Sequence, residues 1–256
     1  TYTVTVTDTH LCSTTGSYIV TEPLAGLAIS ASAVTNVDCR GNATGAVDIT
    51  VSGGTMPYSY VWSNTATTQD IGTLTVGTYG VTINDANNCP VQSNYTITEP
   101  AAVLAISSSV QTNVDCRGNA TGAIDITVAG GTAGYSYAWS NSATTQDISA
   151  LTANTYTVTI TDTHLCTTTG SYTITEPAAA LAISANSITD VDCRTNSTGA
   201  IDITVIGGTA GYSYAWSNSA TTQDINTLAA NTYTVTVTDT HLCSTTGSYI
   251  VTEPLA

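Results

Sequence analysis

Along residues 101–177 apolar and polar positions alternate in short runs, with no helical spacing. Leu104 and Ile106 open a first short run. Ile124, Ile126 and Val128 face one way while Asp125 and Thr127 face the other. Tyr135, Tyr137 and Trp139 share a side, Ile148 and Leu151 mark a short run in TTQDISAL, and Tyr156, Val158 and Ile160 alternate with threonines. Tyr172 and Ile174 do the same in the last run. A period of two with one polar face predicts β-strands in antiparallel sheets packed face to face. RGNATG, AGGTAG, SNSAT, LTAN and DTHL supply turn residues between the runs. Six or seven short strands in so small a span predict an immunoglobulin-like β-sandwich.

The same pattern recurs with one fixed period, seventy-seven. Cysteines at 12, 89, 166 and 243 keep that step, and so do those at 39, 116 and 193. Trp62, Trp139 and Trp216 share it, as do Arg40, Arg117 and Arg194. The motif TEP ends at Pro23, Pro100, Pro177 and Pro254. Periodicity of this kind signals an array of one structural unit. The predicted organisation is all-β: the closing strands of a truncated module at 1–23, repeats at 24–100, 101–177 and 178–254, and the start of another at 255–256. Residues 1–25 are identical to residues 232–256, and the chain opens in mid-strand, so a longer array is expected. The proline-bearing TEP connector is too short to act as a flexible linker, which predicts limited bending between modules.

Composition narrows the function. The formal net charge is −15, with 18 acids against three arginines and no lysine. Three cations cannot neutralise a phosphate backbone or draw the chain to anionic lipid, so nucleic-acid binding is excluded. No apolar run is long enough for a membrane-spanning helix, so direct membrane insertion is not expected, and no signal-peptide pattern is present.

A module this small, with one Trp and no Phe, buries little and needs a covalent staple. Two cysteines per module read as a disulfide framework. The expected bonds lie within modules, Cys39–Cys89, Cys116–Cys166 and Cys193–Cys243, leaving the partner of Cys12 outside the sequence. An alternative joins neighbours, Cys39–Cys166 and Cys116–Cys243. Strand number separates the two: six strands bring the first and last hairpins to one end, and seven place them at opposite ends, too far for a bond.

Other chemistry is thin. No pair of cysteines lies closer in sequence than Cys12 and Cys39, far from the C-x-x-C spacing that zinc favours. His10, His164 and His241 share one turn position, TDTHLC, and lack an assembled nucleophile, base and oxyanion site. No enzyme is predicted, and no cofactor. Calcium is retained as a candidate ligand because Asp38, Asp48, Asp85 and their equivalents could gather near a junction, although no EF-hand loop is present. Arg117 is expected to anchor its loop through Asp115, with Arg40 and Arg194 in the same structural role, and the lone glutamate of each TEP is placed at the junction. The alternation makes Trp62, Trp139 and Trp216 core residues. Sequons at Asn42, Asn94, Asn119 and Asn196 permit N-glycosylation in a competent host.

The string VDCRGNATGAIDITVAGGTAGYSYAWSNSATTQDISALTANTYTVTITDTHLCTTTGSYTITEP resembles the SprB repeat along its whole length, three times over. Two departures are Thr195, where the other modules have Gly after the Arg, and Asn154 or Asn231 at a turn position usually held by Gly. The resemblance implies a very large cell-surface protein of Bacteroidota, exported by type IX secretion and held at the outer membrane. The expected role is the stalk of a filamentous adhesin used in attachment and gliding. The implied partners are neighbouring modules, extracellular polysaccharide or substratum, and sister filaments. The alternatives are a carbohydrate-binding array and a self-assembling fibre or sheath subunit.

Overall fold

The computed structural model describes residues 1–22 and 25–255. All of its regular elements are β-strands. The expected boundary between Pro23 and Leu24, and Ala256, lie outside the described residues. Contacts group the chain into two compact units, residues 1–103 and residues from 104 onward.

In the first unit β1 (Tyr2–Thr7) and β2 (Ser13–Tyr18) form an antiparallel hairpin. A sandwich follows. One sheet holds β3 (Ala28–Thr35), β4 (Gly45–Ser52) and β6 (Ile71–Leu74); the other holds β5 (Ser59–Trp62), β7 (Gly77–Asn84) and β8 (Pro90–Ile97).

The second unit repeats this sandwich twice. β9 (Ala105–Thr112), β10 (Gly122–Ala129), β11 (Ser136–Trp139), β12 (Ile148–Leu151), β13 (Asn154–Thr161) and β14 (Thr167–Ile174) form the first copy. β15 (Ala182–Thr189), β16 (Gly199–Ile206), β17 (Ser213–Trp216), β18 (Ile225–Leu228), β19 (Asn231–Thr238) and β20 (Ser244–Val251) form the second. Each copy stacks a sheet of order 12-10-9 or 15-16-18 on one of order 11-13-14 or 17-19-20. The modules are therefore immunoglobulin-like antiparallel sandwiches of six strands.

The alternation seen in the sequence becomes the core. Ile124, Ile126, Val158, Ile160 and Ile174 are fully buried between the sheets. Each such side chain contributes about 1.5–3 kcal/mol relative to exposure. Trp139 packs on Tyr172 with ring centroids 6.1 Å apart, and its indole N–H donates to the Thr145 carbonyl at 2.9 Å. The hydroxyl of Tyr156 donates to the carbonyl of Thr152 at 3.0 Å, the tyrosine-corner arrangement that ties a strand to the turn before it.

Strand direction decides which loops share an end. β9 runs from the chain-entry end of the module to its exit end, and β10 returns. β11 is antiparallel to β13 and β12 is antiparallel to β10, so both head toward the exit. Both are short, and together they make one traverse, the chain changing sheets halfway. β13 returns to the entry end and β14 leaves again. Six strands thus make five traverses. The β9–β10 loop lies at the exit and the β13–β14 hairpin at the entry, separated by the roughly 25 Å length of an eight-residue strand.

That separation overturns the expected intra-module disulfides. Cys116 lies in the exit loop and Cys166 in the entry hairpin of the same module. Cys116 bonds instead to Cys243, in the entry hairpin of the next module, with Cα atoms 5.6 Å apart. Neither Cys116–Cys166 nor Cys193–Cys243 is therefore formed. Cys39 and Cys166 are each disulfide-bonded, whereas Cys12, Cys89 and Cys193 are free and exposed, so Cys39–Cys89 is not formed either. The assumption that failed was that every strand reverses the chain.

Candidate functional site: the junction between modules

Within the second unit the exit loop of one module meets the entry hairpin of the next. The exit loop, residues 113–121, is organised by Asp115. Its Oδ1 accepts the Thr121 hydroxyl at 2.6 Å, the Cys116 N–H at 2.6 Å and the Asn119 amide at 3.4 Å. The Thr121 hydroxyl and the Cys116 N–H, in that order, hold its carboxyl below the usual carboxylate range. Gly118 adopts φ +83°, a conformation glycine takes at little cost.

This loop grips the connector. The Arg117 guanidinium donates to the carbonyls of Pro177 at 3.1 Å and Ala178 at 2.6 Å, and lies 3.6 Å from the Glu176 carboxylate. Glu176 also accepts the Gly118 N–H at 2.7 Å. The ion pair is partly exposed and worth little alone. Its effect comes from combination with two carbonyl contacts, which fix the backbone leaving the module. Arg40, Gly41, Glu99, Pro100 and Ala101 repeat this clamp in the first unit. The expected Arg117–Asp115 anchor is corrected here: Asp115 is occupied within its own loop, and the guanidinium reaches the connector.

The third module departs from this clamp at one position. Thr195 occupies the glycine position with φ +71°, its N–H still donates to Glu253 at 3.0 Å, and Arg194 lies 3.7 Å from that carboxylate. A β-branched residue in the left-handed region costs about 1–2 kcal/mol.

On the other side, the GG turn of the incoming module holds the same connector. Gly208 N–H donates to the Ala179 carbonyl at 2.9 Å. A Cβ on Gly207, which has φ +70°, would collide with the Ala180 carbonyl. Only glycine lets the backbone approach so closely. Residues 176–180 are therefore bonded to both modules.

The entry hairpin is built on Asp239, which is buried. It accepts the N–H groups of Thr209 at 2.8 Å, His241 at 2.9 Å and Cys243 at 2.9 Å. Burial opposes its charge, but these amides outweigh it and its carboxyl titrates below the usual range. Asp162 does the same in the preceding module. The sequence marked this position only as a calcium candidate, through Asp85; its structural task leaves no local signal beyond the D-T-H-L-C turn. His241 bonds through Nδ1 to the Thr209 hydroxyl at 2.9 Å, and His164 matches it with Thr132. Beside the bridge an open cleft of about 390 Å³ is lined by Arg117, Asn119, Leu181, Leu242 and Cys243 among others.

The calcium candidates are not brought together. Asp38 sits in an exit loop bonded to Thr44 and Asn42, Asp48 is exposed in mid-strand on β4, and Asp85 caps an entry hairpin through Thr55, Asn87 and Cys89. Among the described residues no cluster of three metal-ligating side chains occurs. Trp62, Trp139 and Trp216 are each buried in a core, 2–4% exposed.

The sequence model of the SprB repeat matches residues 31–67, 108–144 and 185–221. The chain carries three SprB repeats. Each match runs from within the first strand of a module to just past its buried tryptophan. With its disulfide bonds, this SprB-repeat chain is an extracellular segment. No curated protein matches its sequence. Solved structures similar to it include Drosophila OTK extracellular domains 3-5, at 9% identity and a TM-score of 0.34, covering 90% of this chain and 97% of that one. The N-terminal eight Ig domains of Down Syndrome Cell Adhesion Molecule match at 9% identity and 0.39, covering 99% and 43%. A tetra-tandem repeat from the extending region of a large adhesion protein matches at 15% and 0.29, covering 98% and 81%. At these scores the likenesses stand beside the sandwich topology and add nothing to it.

Proposed function

We propose that these SprB repeats are a stalk segment of a large cell-surface adhesin, carrying an adhesive region away from the cell and resisting bending at each junction. The junction in the second unit supports this: a disulfide, an arginine clamp and a glycine turn all secure one short connector. A flexible tether would need none of the three. Export by type IX secretion, attachment at the outer membrane and service in gliding complete the proposal, on the strength of the family. The test is made in a bacterium that encodes the parent protein. Antibody to the repeat should label intact cells, and deletion of the gene should abolish attachment to glass and colony spreading. Absence of surface label, or unaltered attachment and spreading, would refute it.

A second function, weak polysaccharide binding by each module, is favoured by the outer face of β13 and β14. There Thr155, Thr157, Thr159, Thr169, Ser171 and Thr173 present an exposed, uncharged field of hydroxyl groups. Binding of the chain on a glycan array would support it, and silence would leave the stalk alone.

A further inference from the structure

The position of the Cys116–Cys243 bridge has a mechanical consequence that does not depend on what the stalk carries. The bridge joins residues separated by 127 positions. Cys116 lies shortly after the end of β9, and Cys243 immediately precedes β20. β9 runs from the entry to the exit of its module, and β20 does the same in the next. Between Leu104 and Leu255 there is thus a short covalent route: down β9, across the sulfur–sulfur bond, and down β20. The long route passes through the connector and the strands β10–β19.

Both strands of the short route are already extended. A β-strand rises about 3.3 Å per residue, close to the limit of a stretched chain, so pulling on it releases almost no length. The long route includes the turns and the core strands of both modules, and it is slack while the short route is taut. β9 and β20 are also edge strands, each paired on one side. Most of the residues that fill the two cores between the sheets, including Trp139 and Trp216, lie on the long route; Val114, Tyr249 and Val251 lie on the short one.

We propose that the β9–Cys116–Cys243–β20 path is a tension-carrying strap: force applied between residues 104 and 255 passes through the bridge and bypasses β10–β19. The strap converts two marginally stable sandwiches into a segment of nearly fixed length. Shear that would unfold an unbridged module is carried by covalent bonds.

The full 256-residue chain, held through non-thiol handles at the exposed residues Val103 and Leu255, tests this in a force clamp. With the bridge intact the span between handles should stay within roughly 90 Å, without unfolding steps. A small dithiol added under load reduces the bridge to two thiols and itself becomes a cyclic disulfide. The span should then gain up to roughly 440 Å, the extended length of 127 residues. The Cys116→Ser/Cys243→Ser chain should give that length without reductant, and the dithiol arm decides the matter even if this variant does not fold. Unfolding steps to the full length before reduction, or no lengthening after it, would overturn the strap.

Discussion

Residues 1–22 and residues 232–253 have one sequence and two environments. Both form an antiparallel hairpin in the same register, Tyr2 opposite Tyr18 and Tyr233 opposite Tyr249. Both close on the same turn: Asp8 accepts the N–H groups of His10 and Cys12 at 2.9 Å, as Asp239 does those of His241 and Cys243. Burial differs completely. Tyr2, Val4 and Val6 are 70%, 47% and 60% exposed, whereas Tyr233, Val235 and Val237 are 8%, 1% and 0% exposed. Pairing and turn are thus local properties of this short sequence. The core is not, because it forms only where β15, β16 and β18 supply the facing sheet. The Thr209 amide, which completes the shell of Asp239, belongs to that same surrounding module.

Deleting each copy in turn should separate these contributions most sharply. Truncation after Asn231 removes Tyr233, Val235, Val237, Tyr249 and Val251 from the core of the third module and should eliminate its calorimetric transition. Removal of residues 1–22 should move the transitions by less than about 2 °C. Comparable losses from both deletions would break the distinction.

Single substitutions bring the contrast down to one side chain. Val237→Ala should cost about 2–3 kcal/mol in denaturant unfolding, and Val6→Ala less than about 0.5 kcal/mol. Asp239→Ala should cost about 2 kcal/mol because three amides lose a charged acceptor. Its pH dependence has a definite sign. A carboxyl titrating lower in the folded state than in the unfolded one stabilises at neutral pH, and that advantage disappears as falling pH protonates it. The gap in melting temperature between wild type and Asp239→Ala should be constant above about pH 5 and close below about pH 3. A gap that widens on acidification would contradict the amide shell.

The smallest effects concern backbone strain. Leu242 and Leu11 both sit at φ 65° and are highly exposed, and the same turn in the first module uses Asn88 at φ 62°. Asparagine tolerates this region better than leucine. Leu242→Asn should therefore raise stability by up to about 1 kcal/mol, while Leu11→Asn leaves the melting of the modules unchanged. Thr195→Gly should gain about 1 kcal/mol for the same reason.

Much of this was legible before the structure. Period-two runs around Ile124, Val158 and Tyr172 gave the strands and their buried faces, because side-chain alternation is fixed by backbone geometry. The junction was legible only in part. TEP marked the connector, but Arg117 and Glu176 lie at opposite ends of a module's sequence and no local pattern announces their contact. A signal was nevertheless present: each module has one arginine and one glutamate, in a chain nearly devoid of other cations. Disulfide pairing was missed for a topological reason. β11 and β12 are two strands by hydrogen bonding and one by direction, so counting strands misjudged which loops share an end.

The three arginines make the junction directly testable. Trypsin cleaves after Arg40, Arg117 and Arg194, placing Cys116 in peptide 41–117, Cys166 and Cys193 in 118–194, and Cys243 in 195–256. A non-reducing digest should contain 41–117 joined to 195–256. Recovery of 195–256 joined to 118–194 would put the bond inside the module and contradict a junction locked by Cys116 and Cys243.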